Sequence, residues 1–231
     1  SAIGFVVLAL LAVNVDLGRV RDELPRVVVL ASFVLAATFL TIPLSRDRDG
    51  HGPRVMVDSP FVFALVLVGG PGLAALVTAA SLTLSGVLHH RPPQRLAFNI
   101  GTHSIGLAAG SITWIVLAGG QVVDSSALPA ILIGTAVFVG VKSLLFIGML
   151  ALDERRSVSP SRILRQSVLV TLMAQVGVLV LVLATEHPAL LMLALALMLG
   201  AYLLLRIETS AVLGRSEAEE ATRREKELRA Q

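Results

Sequence analysis

The chain has 231 residues, of which 55% are hydrophobic and 15% are charged, and its formal net charge is +3. This composition excludes an ordinary soluble globular domain, and the basic residues, most of them in short loops, do not indicate a nucleic-acid-binding protein. Because the chain has no cysteine, disulfides, thiolate metal sites and cysteine nucleophiles are also excluded.

Apolar runs that alternate with short charged loops predict an all-α fold, a polytopic helical membrane bundle of about eight spans. The predicted spans are 2–15, 27–44, 55–69, 71–88, 96–118, 127–150, 166–185 and 189–206. The first is shorter than the roughly 20 apolar residues that cross a bilayer. Since the chain begins with Ser1, we expect this span to have lost residues upstream.

The stretch "VGGPG" at 68–72 separates the third and fourth predicted spans. A glycine pair followed by proline cannot continue a straight helix. The break is either a tight hairpin between two short spans, which we favour, or the meeting point of a re-entrant pair. A single crossing by residues 55–88 would invert the orientation of every upstream span.

Basic residues concentrate in the loops 45–54, 89–95 and 151–165 and in the tail after Leu205. With eight spans these segments all lie on one side, which the positive-inside rule assigns to the cytoplasm. The prediction is a multi-pass protein of the cytoplasmic (inner) membrane with a cytoplasmic C terminus. The loop 16–26 is the exception, because it also carries arginines but would lie outside.

The fifth span contains "AFNIGTHSIGLAAG", in which Asn99 and His103 are four residues apart and share one helix face. Gly106 and Gly110 extend the same face, and small residues at this spacing let another helix approach closely. We therefore expect this face to contact protein rather than lipid. At 1.5 Å per residue, His103 lies about 10 Å from the inner end of the span.

Lys142 and Gln175, on the next two spans, lie at a similar depth to His103. Ionisable residues inside a membrane are energetically unfavourable and are therefore functional candidates. This layer predicts a ligand-binding site formed by Asn99, His103, Lys142 and Gln175. The alternatives are a histidine bonded to a backbone carbonyl, a lysine stem extended to the interface, and a glutamine that joins two helices. Asp58, at the inner start of the third span, could pair with Lys142 if that helix packs nearby.

The tail, residues 207–231, is highly charged and carries a repeat with alternating spacings of four and three. This spacing predicts a weak, parallel two-stranded coiled coil that transmits a signal from the membrane domain, residues 1–206. The alternative is a solvated helix that pairs with nothing. The residues of the repeat are Ile207, Ala211, Gly214, Ala218, Ala221, Glu225 and Leu228.

No nucleotide-binding, metalloprotease or serine-hydrolase motif is present in the sequence. We therefore predict no catalytic residue, no cofactor and no metal site in this chain. His51, His89 and His90 lie in predicted cytoplasmic loops, and three histidines could bind a metal, but nothing in the sequence fixes their spacing.

The sequence resembles the integral-membrane sensor domains of the MASE type, which precede diguanylate cyclase, cyclic-di-GMP phosphodiesterase or histidine kinase modules in bacteria. Lys142 stands where this resemblance leads us to expect a neutral polar residue, often Asn. The segments that carry the resemblance are "VMVDSPFVFALVLVGGPGLAALVTAASLTL", "RPPQRLAFNIGTHSIGLAAG", "EHPALLMLALALMLGAYLLLR" and "EATRREKELRAQ".

The resemblance implies a homodimeric receptor whose membrane part controls an attached cytoplasmic enzyme. Membrane lipids are its surroundings, and a hydrophobic small molecule is a candidate ligand. A small-molecule transporter or substrate-capturing subunit is the second hypothesis, since a broken helix and a polar layer suit it. An enzyme that acts on lipid headgroups is the third, and it lacks the clustered carboxylates or histidines such an enzyme needs.

Overall fold

A computed structural model describes residues 2–43, 54–56, 58–119 and 127–152, together with 172, 175–178, 196, 199–200, 202–203, 206–207, 210–211, 214 and 222. The elements are α1 (Ala2–Val13), α2 (Leu17–Asp22), α3 (Leu24–Phe39), β1 (Thr41–Pro43), β2 (Arg54–Met56), α4 (Ser59–Leu88), α5 (Pro93–Ala118) and α6 (Leu128–Leu152).

Among the described residues, α4, α5 and residues 128–149 of α6 are long and apolar enough to cross a membrane. This agrees with the prediction of a helical membrane protein. The predicted count of eight spans is not supported, because these three are the helices of that length among the described residues, and α1 and α3 are shorter apolar helices. Most of the seventh and eighth predicted spans, and most of the predicted coiled coil, lie outside the described residues.

The predicted second span, 27–44, extends too far at its C-terminal end. The helix ends at Phe39, and β1 then pairs antiparallel with β2. Pro43 has no amide hydrogen to continue a helix and disfavours helical geometry at Ile42. The start of the third predicted span, 55–69, is wrong for a related reason: residues 54–56 form the partner strand.

Helix α4 begins at Ser59, with Pro60 in its first turn, and breaks at Gly70. Gly70 has φ 83° and ψ 164°, a conformation open almost only to glycine. We call residues 59–69 the first half of α4 and residues 71–88 its second half.

The second half of α4 runs antiparallel to α5. Leu96, near the start of α5, packs on Gly86, near the end of α4. One helical turn further along, Ile100 and Leu82 share a small buried cluster with Met56 of β2. A straight helix would separate Met56 from Leu82 by about 39 Å. Their membership of one cluster therefore shows that the chain reverses between them.

The first half of α4 runs parallel to α5. Asp58, immediately before this half, bonds to His103. Phe63, about one turn later, stacks on Phe138, and Phe138 lies against Gly110, about two turns beyond His103. The two halves of α4 are therefore antiparallel, and Gly70 is the turn between them. At 11 residues, about 16 Å, the first half is too short to cross a hydrocarbon core of about 30 Å, as in a re-entrant helix.

Arg19 of α2 holds this turn. Its Nε donates to the Val68 carbonyl oxygen at 2.8 Å, and its Nη2 donates to the Leu67 carbonyl oxygen. The last carbonyls of a helix lack partners within it, so the guanidinium replaces those missing bonds for the first half of α4. The Asp16 side chain caps α2 by accepting from the Arg19 backbone amide at 3.0 Å.

The buried core lies where α3, α4, α5 and α6 meet. It is built mostly of aliphatic and phenylalanine side chains that are shielded from solvent almost completely. Its largest side chains with less than 2% exposure are Phe63, Phe138, Leu65, Leu107, Ile131, Val34, Val62, Val66, Val139 and Val178.

Candidate functional site: a buried charged cluster

Four side chains form a charged cluster at one end of this core: Asp58, Ser59, His103 and Lys142. We call it the Asp58 cluster. It joins the start of α4 to the third turn of α5 and the middle of α6.

Asp58 is the acidic member, and its side chain is completely buried. Its Oδ2 lies 3.0 Å from His103 Nε2, and its Oδ1 lies 3.3 Å from Lys142 Nζ. Asp58 stands at the N-cap position of α4, yet its side chain makes no capping hydrogen bond. The carboxylate is therefore turned to the two basic side chains rather than to the helix end.

His103 is oriented from both ring nitrogens. Its Nδ1 lies 2.9 Å from the Asn99 carbonyl oxygen, one turn earlier in α5. Because a carbonyl oxygen only accepts, Nδ1 is a donor and must carry a hydrogen. The ring also meets the edge of Phe138, with centroids 6.5 Å apart, and only 4% of the residue is exposed.

Lys142 completes the cluster from α6. Its Nζ donates to Ser59 Oγ at 2.6 Å and lies 3.4 Å from His103 Nε2. The ammonium also stands 5.3 Å from the centroid of the Phe138 ring, within the range of a cation–π interaction. With 13% of its side chain exposed, Lys142 points into the protein rather than towards an interface.

The charges in this cluster depend on one another. Asp58 lies one residue before the candidate span Ser59–Leu88. Burial raises the pKa of its carboxyl, but the charges and hydrogen bonds of Lys142 and His103 lower it, so that this pKa lies below its usual range. Since an unpaired buried charge is strongly unfavourable, each member needs its partners.

The structure brings together two of the four predicted ligand-binding side chains, His103 and Lys142. Asn99 contributes its backbone carbonyl oxygen to the cluster. Gln175 takes another role: its Nε2 donates to the Leu132 carbonyl oxygen of α6 at 2.7 Å, as a residue joining two helices would.

The predicted packing glycines face α6. A Cβ on Gly106 would lie 3.0 Å from the Phe138 carbonyl oxygen, and one on Gly110 would lie 2.6 Å from the Gly134 carbonyl oxygen. The helix that packs closely on this face is therefore α6 of the same chain, which also carries Lys142.

Of the predicted signal-transmitting residues, Ile207, Ala211 and Gly214 are described, and all three are helical and exposed. Ala218, Ala221 and Leu228 lie outside the described residues. The pairing of two tails stays a prediction.

The sequence indicates Asp58 only as a possible partner for Lys142, and it does not point to Ser59. The signal that could have found both is the order Asp58-Ser59-Pro60. An acidic or hydroxyl residue followed by proline marks a helix N terminus, which would have placed a carboxylate at the start of a helix inside the bundle.

No protein family, curated protein or solved structure matches this chain. The comparisons thus add nothing to the sequence segments that carry the resemblance to membrane sensor domains. Among the described residues, no group of three potential metal ligands is placed to hold a metal ion.

Proposed function

We propose that the chain is the membrane sensory input domain of a bacterial signalling protein, and that its input acts on the Asp58 cluster. One observation carries the proposal: Asp58, His103 and Lys142 are bonded to one another inside an otherwise apolar helix bundle. Charged residues in such surroundings are expensive and mark functional positions by default.

A charged cluster suits a switch because its bonds are directional and few. Asp58 links the start of α4 to α5 through His103, and to α6 through Lys142. An input that changes one of these bonds changes which helices are held together. Packed helices respond to such changes by moving between discrete arrangements.

The membrane orientation, the coiled-coil tail and the attached module in this proposal come from the sequence, and the structure adds one point to the orientation. The reversal at Gly70 returns the chain to the side on which α4 begins, which suits a cytoplasmic-membrane protein of about eight apolar segments with a cytoplasmic C terminus. The tail at 207–231 would pair with a second copy as a weak coiled coil. Through it the domain would control a cyclic-di-GMP-metabolising module or a histidine kinase. A hydrophobic molecule or the state of the bilayer is the candidate input.

The first test is the oligomeric state in nanodiscs, measured by mass photometry for the whole chain and for a chain ended at Arg206. We expect a dimer that becomes a monomer on truncation. A monomer in both would overturn the receptor proposal.

The second test uses the absence of cysteine, which makes a single spin label straightforward. Ala211→Cys places the label on an exposed helical position of the tail. We expect the label-to-label distance in the dimer, measured by double electron–electron resonance, to change in Asp58→Asn. Glu23→Gln, at a partly exposed acidic residue that pairs with Arg26, is the control and should leave the distance unchanged.

A transporter is the second candidate, because α4 is a broken helix whose N terminus lies at a buried charged layer, as in many transporter sites. Substrate accumulation in proteoliposomes, abolished by Asp58→Asn, would favour it over a sensor.

A further inference from the structure

The hydrogen-bond geometry of His103 restricts how protons are distributed in the Asp58 cluster. Nδ1 must carry a hydrogen, because its partner is the Asn99 carbonyl oxygen. The remaining question is whether Nε2, which faces both Asp58 Oδ2 at 3.0 Å and Lys142 Nζ at 3.4 Å, carries one too.

If Nε2 carries a hydrogen, it donates to Asp58 Oδ2, and the cluster holds two positive charges and one negative charge. If Nε2 carries none, its lone pair accepts from Lys142 Nζ, and the cluster is electrically neutral. In that state the lone pairs of Nε2 and Oδ2 face each other and repel, so His103 must turn from Asp58 towards Lys142. The two partners thus compete for one nitrogen, and a single proton decides between them.

No other titratable residue faces His103 from the described helices that pack on α5. Helices α1 and α4 contain no acidic, basic or histidine residue, and Lys142 is the single one in α6. Within α5 itself, Arg95 lies about 12 Å further along the helix axis. Among these elements no further negative charge balances the second positive charge of the proton-bound state.

We propose that the Asp58 cluster binds one proton, at Nε2 of His103, and that this proton is an input of the sensor in addition to the hydrophobic molecule or bilayer state named above. When the proton binds, an N–H bond forms at Nε2 as an O–H bond of hydronium breaks, and when it leaves, the N–H bond breaks and the proton returns to water. The proton-bound state strengthens the contact from α4 to α5, through Asp58. The proton-free state strengthens the contact from α6 to α5, through Lys142. The inference rests on the proposed sensor function for its consequence and on the geometry of His103 for its site.

The test reads the protonation of His103 directly, by ¹⁵N nuclear magnetic resonance of the whole chain in nanodiscs between pH 5 and 9. The chain has five histidines. Replacing His51, His89, His90 and His187 by Gln leaves His103 with its partners intact, and its signals are absent from His103→Gln in the otherwise natural chain. We expect both ring nitrogens to be protonated at low pH, and only Nδ1 at high pH.

His89 supplies a matched control. Its Nδ1 lies 2.8 Å from the Ser85 carbonyl oxygen, also one turn earlier, but its described contacts include no carboxylate or lysine. A chain that retains His89 alone separates the effect of the carbonyl bond from that of the cluster. In Asp58→Asn we expect the ¹⁵N signals of His103 to change, because Nε2 loses the carboxylate that lies 3.0 Å away, and those of His89 to stay unchanged.

A His103 ring that keeps one protonation state from pH 5 to 9, or whose neutral form carries its hydrogen on Nε2, would overturn the proposal. The spin-labelled tail at Ala211→Cys provides the second reading. A change in its distance over the same pH interval as the His103 signals supports the proton as input. A tail that responds to Asp58→Asn but not to pH would overturn the proton as input and leave the sensor function standing.

Discussion

The carboxylate of Asp58 lies 3.0 Å from Nε2 of His103, although the two residues are 45 positions apart in the sequence. Between them the chain completes both halves of α4, reverses at Gly70 and enters α5. The contact therefore depends on the reversal, because a straight α4 would carry Asp58 far from the start of α5. A local backbone feature thus decides whether the charged cluster can form.

Replacing Asp58 by Asn should lower the free energy of unfolding by about 3 to 5 kcal/mol, because it leaves the Lys142 ammonium without its buried counter-charge. Chemical denaturation in detergent micelles, compared with the natural chain, measures this change. Adding Lys142→Met should recover part of the loss, since it removes the charge left unpaired.

Glu23→Gln is the control for that series. Glu23 pairs with Arg26 at 3.0 Å on the surface, and such exposed pairs contribute at most about 1 kcal/mol. Equal losses in Asp58→Asn and Glu23→Gln would mean that the buried cluster does not stabilise the fold as an ion pair.

Gly110→Ala should separate α5 from α6. The added Cβ would lie 2.6 Å from the Gly134 carbonyl oxygen and 2.7 Å from Phe138 Cβ, so the helices must move apart, at a cost of about 1 to 3 kcal/mol. Thermal denaturation in nanodiscs provides the measurement. Gly140→Ala, on α6 with no atom within 4 Å of the added Cβ, should leave stability unchanged or raise it. A drop of the same size in both would contradict the packing argument.

The sequence could predict the parts of this fold that depend on local pattern. Apolar runs identified the regions of α4, α5 and α6, and helical spacing placed His103 and Lys142 at a common depth. The break at "GGPG" followed from the chemistry of glycine and proline. Each of these inferences needs only the residues of one segment.

Contacts between distant segments could not be predicted from the sequence in this way. Nothing in the composition of the loop 16–26 shows that Arg19 reaches the carbonyls at the end of the first half of α4. From the sequence alone, the loop 16–26 is therefore an exception to the positive-inside rule. The role of Ser59 is not visible in the sequence for the same reason, since its partner Lys142 is 83 positions away.

Gly70→Ala should lower the free energy of unfolding because of its backbone conformation and not because of steric crowding. No atom lies within 4 Å of the position that the added Cβ would take, but φ is +83°. This backbone conformation costs a residue with a side chain about 1 to 3 kcal/mol. Gly148→Ala, in α6 and also in open space, tests the same chemical change in helical geometry. If the two variants unfold at the same denaturant concentration, the turn does not require glycine.

Arg19→Gln should loosen the turn at Gly70. The guanidinium supplies bonds to two carbonyl oxygens at the end of the first half of α4, and hydrogen bonds to charged donors contribute about 1.5 to 3 kcal/mol each when buried and less when exposed. We expect faster amide hydrogen exchange in residues 59–69 of Arg19→Gln, measured by mass spectrometry of the protein in nanodiscs.

Two further variants separate the roles of charge and geometry at this turn. Arg19→Lys keeps the positive charge near the helix end but offers a single point donor rather than a planar pair, so it should restore protection only in part. Arg21→Gln removes an exposed charge from the same short helix and should leave exchange in residues 59–69 unchanged. If Arg21→Gln increased exchange as much as Arg19→Gln, the effect would come from the charge of the loop and not from the two carbonyl bonds. The arginines of 16–26 would then act as ordinary loop charges, and the positive-inside rule would apply to them when the orientation of the chain is assigned.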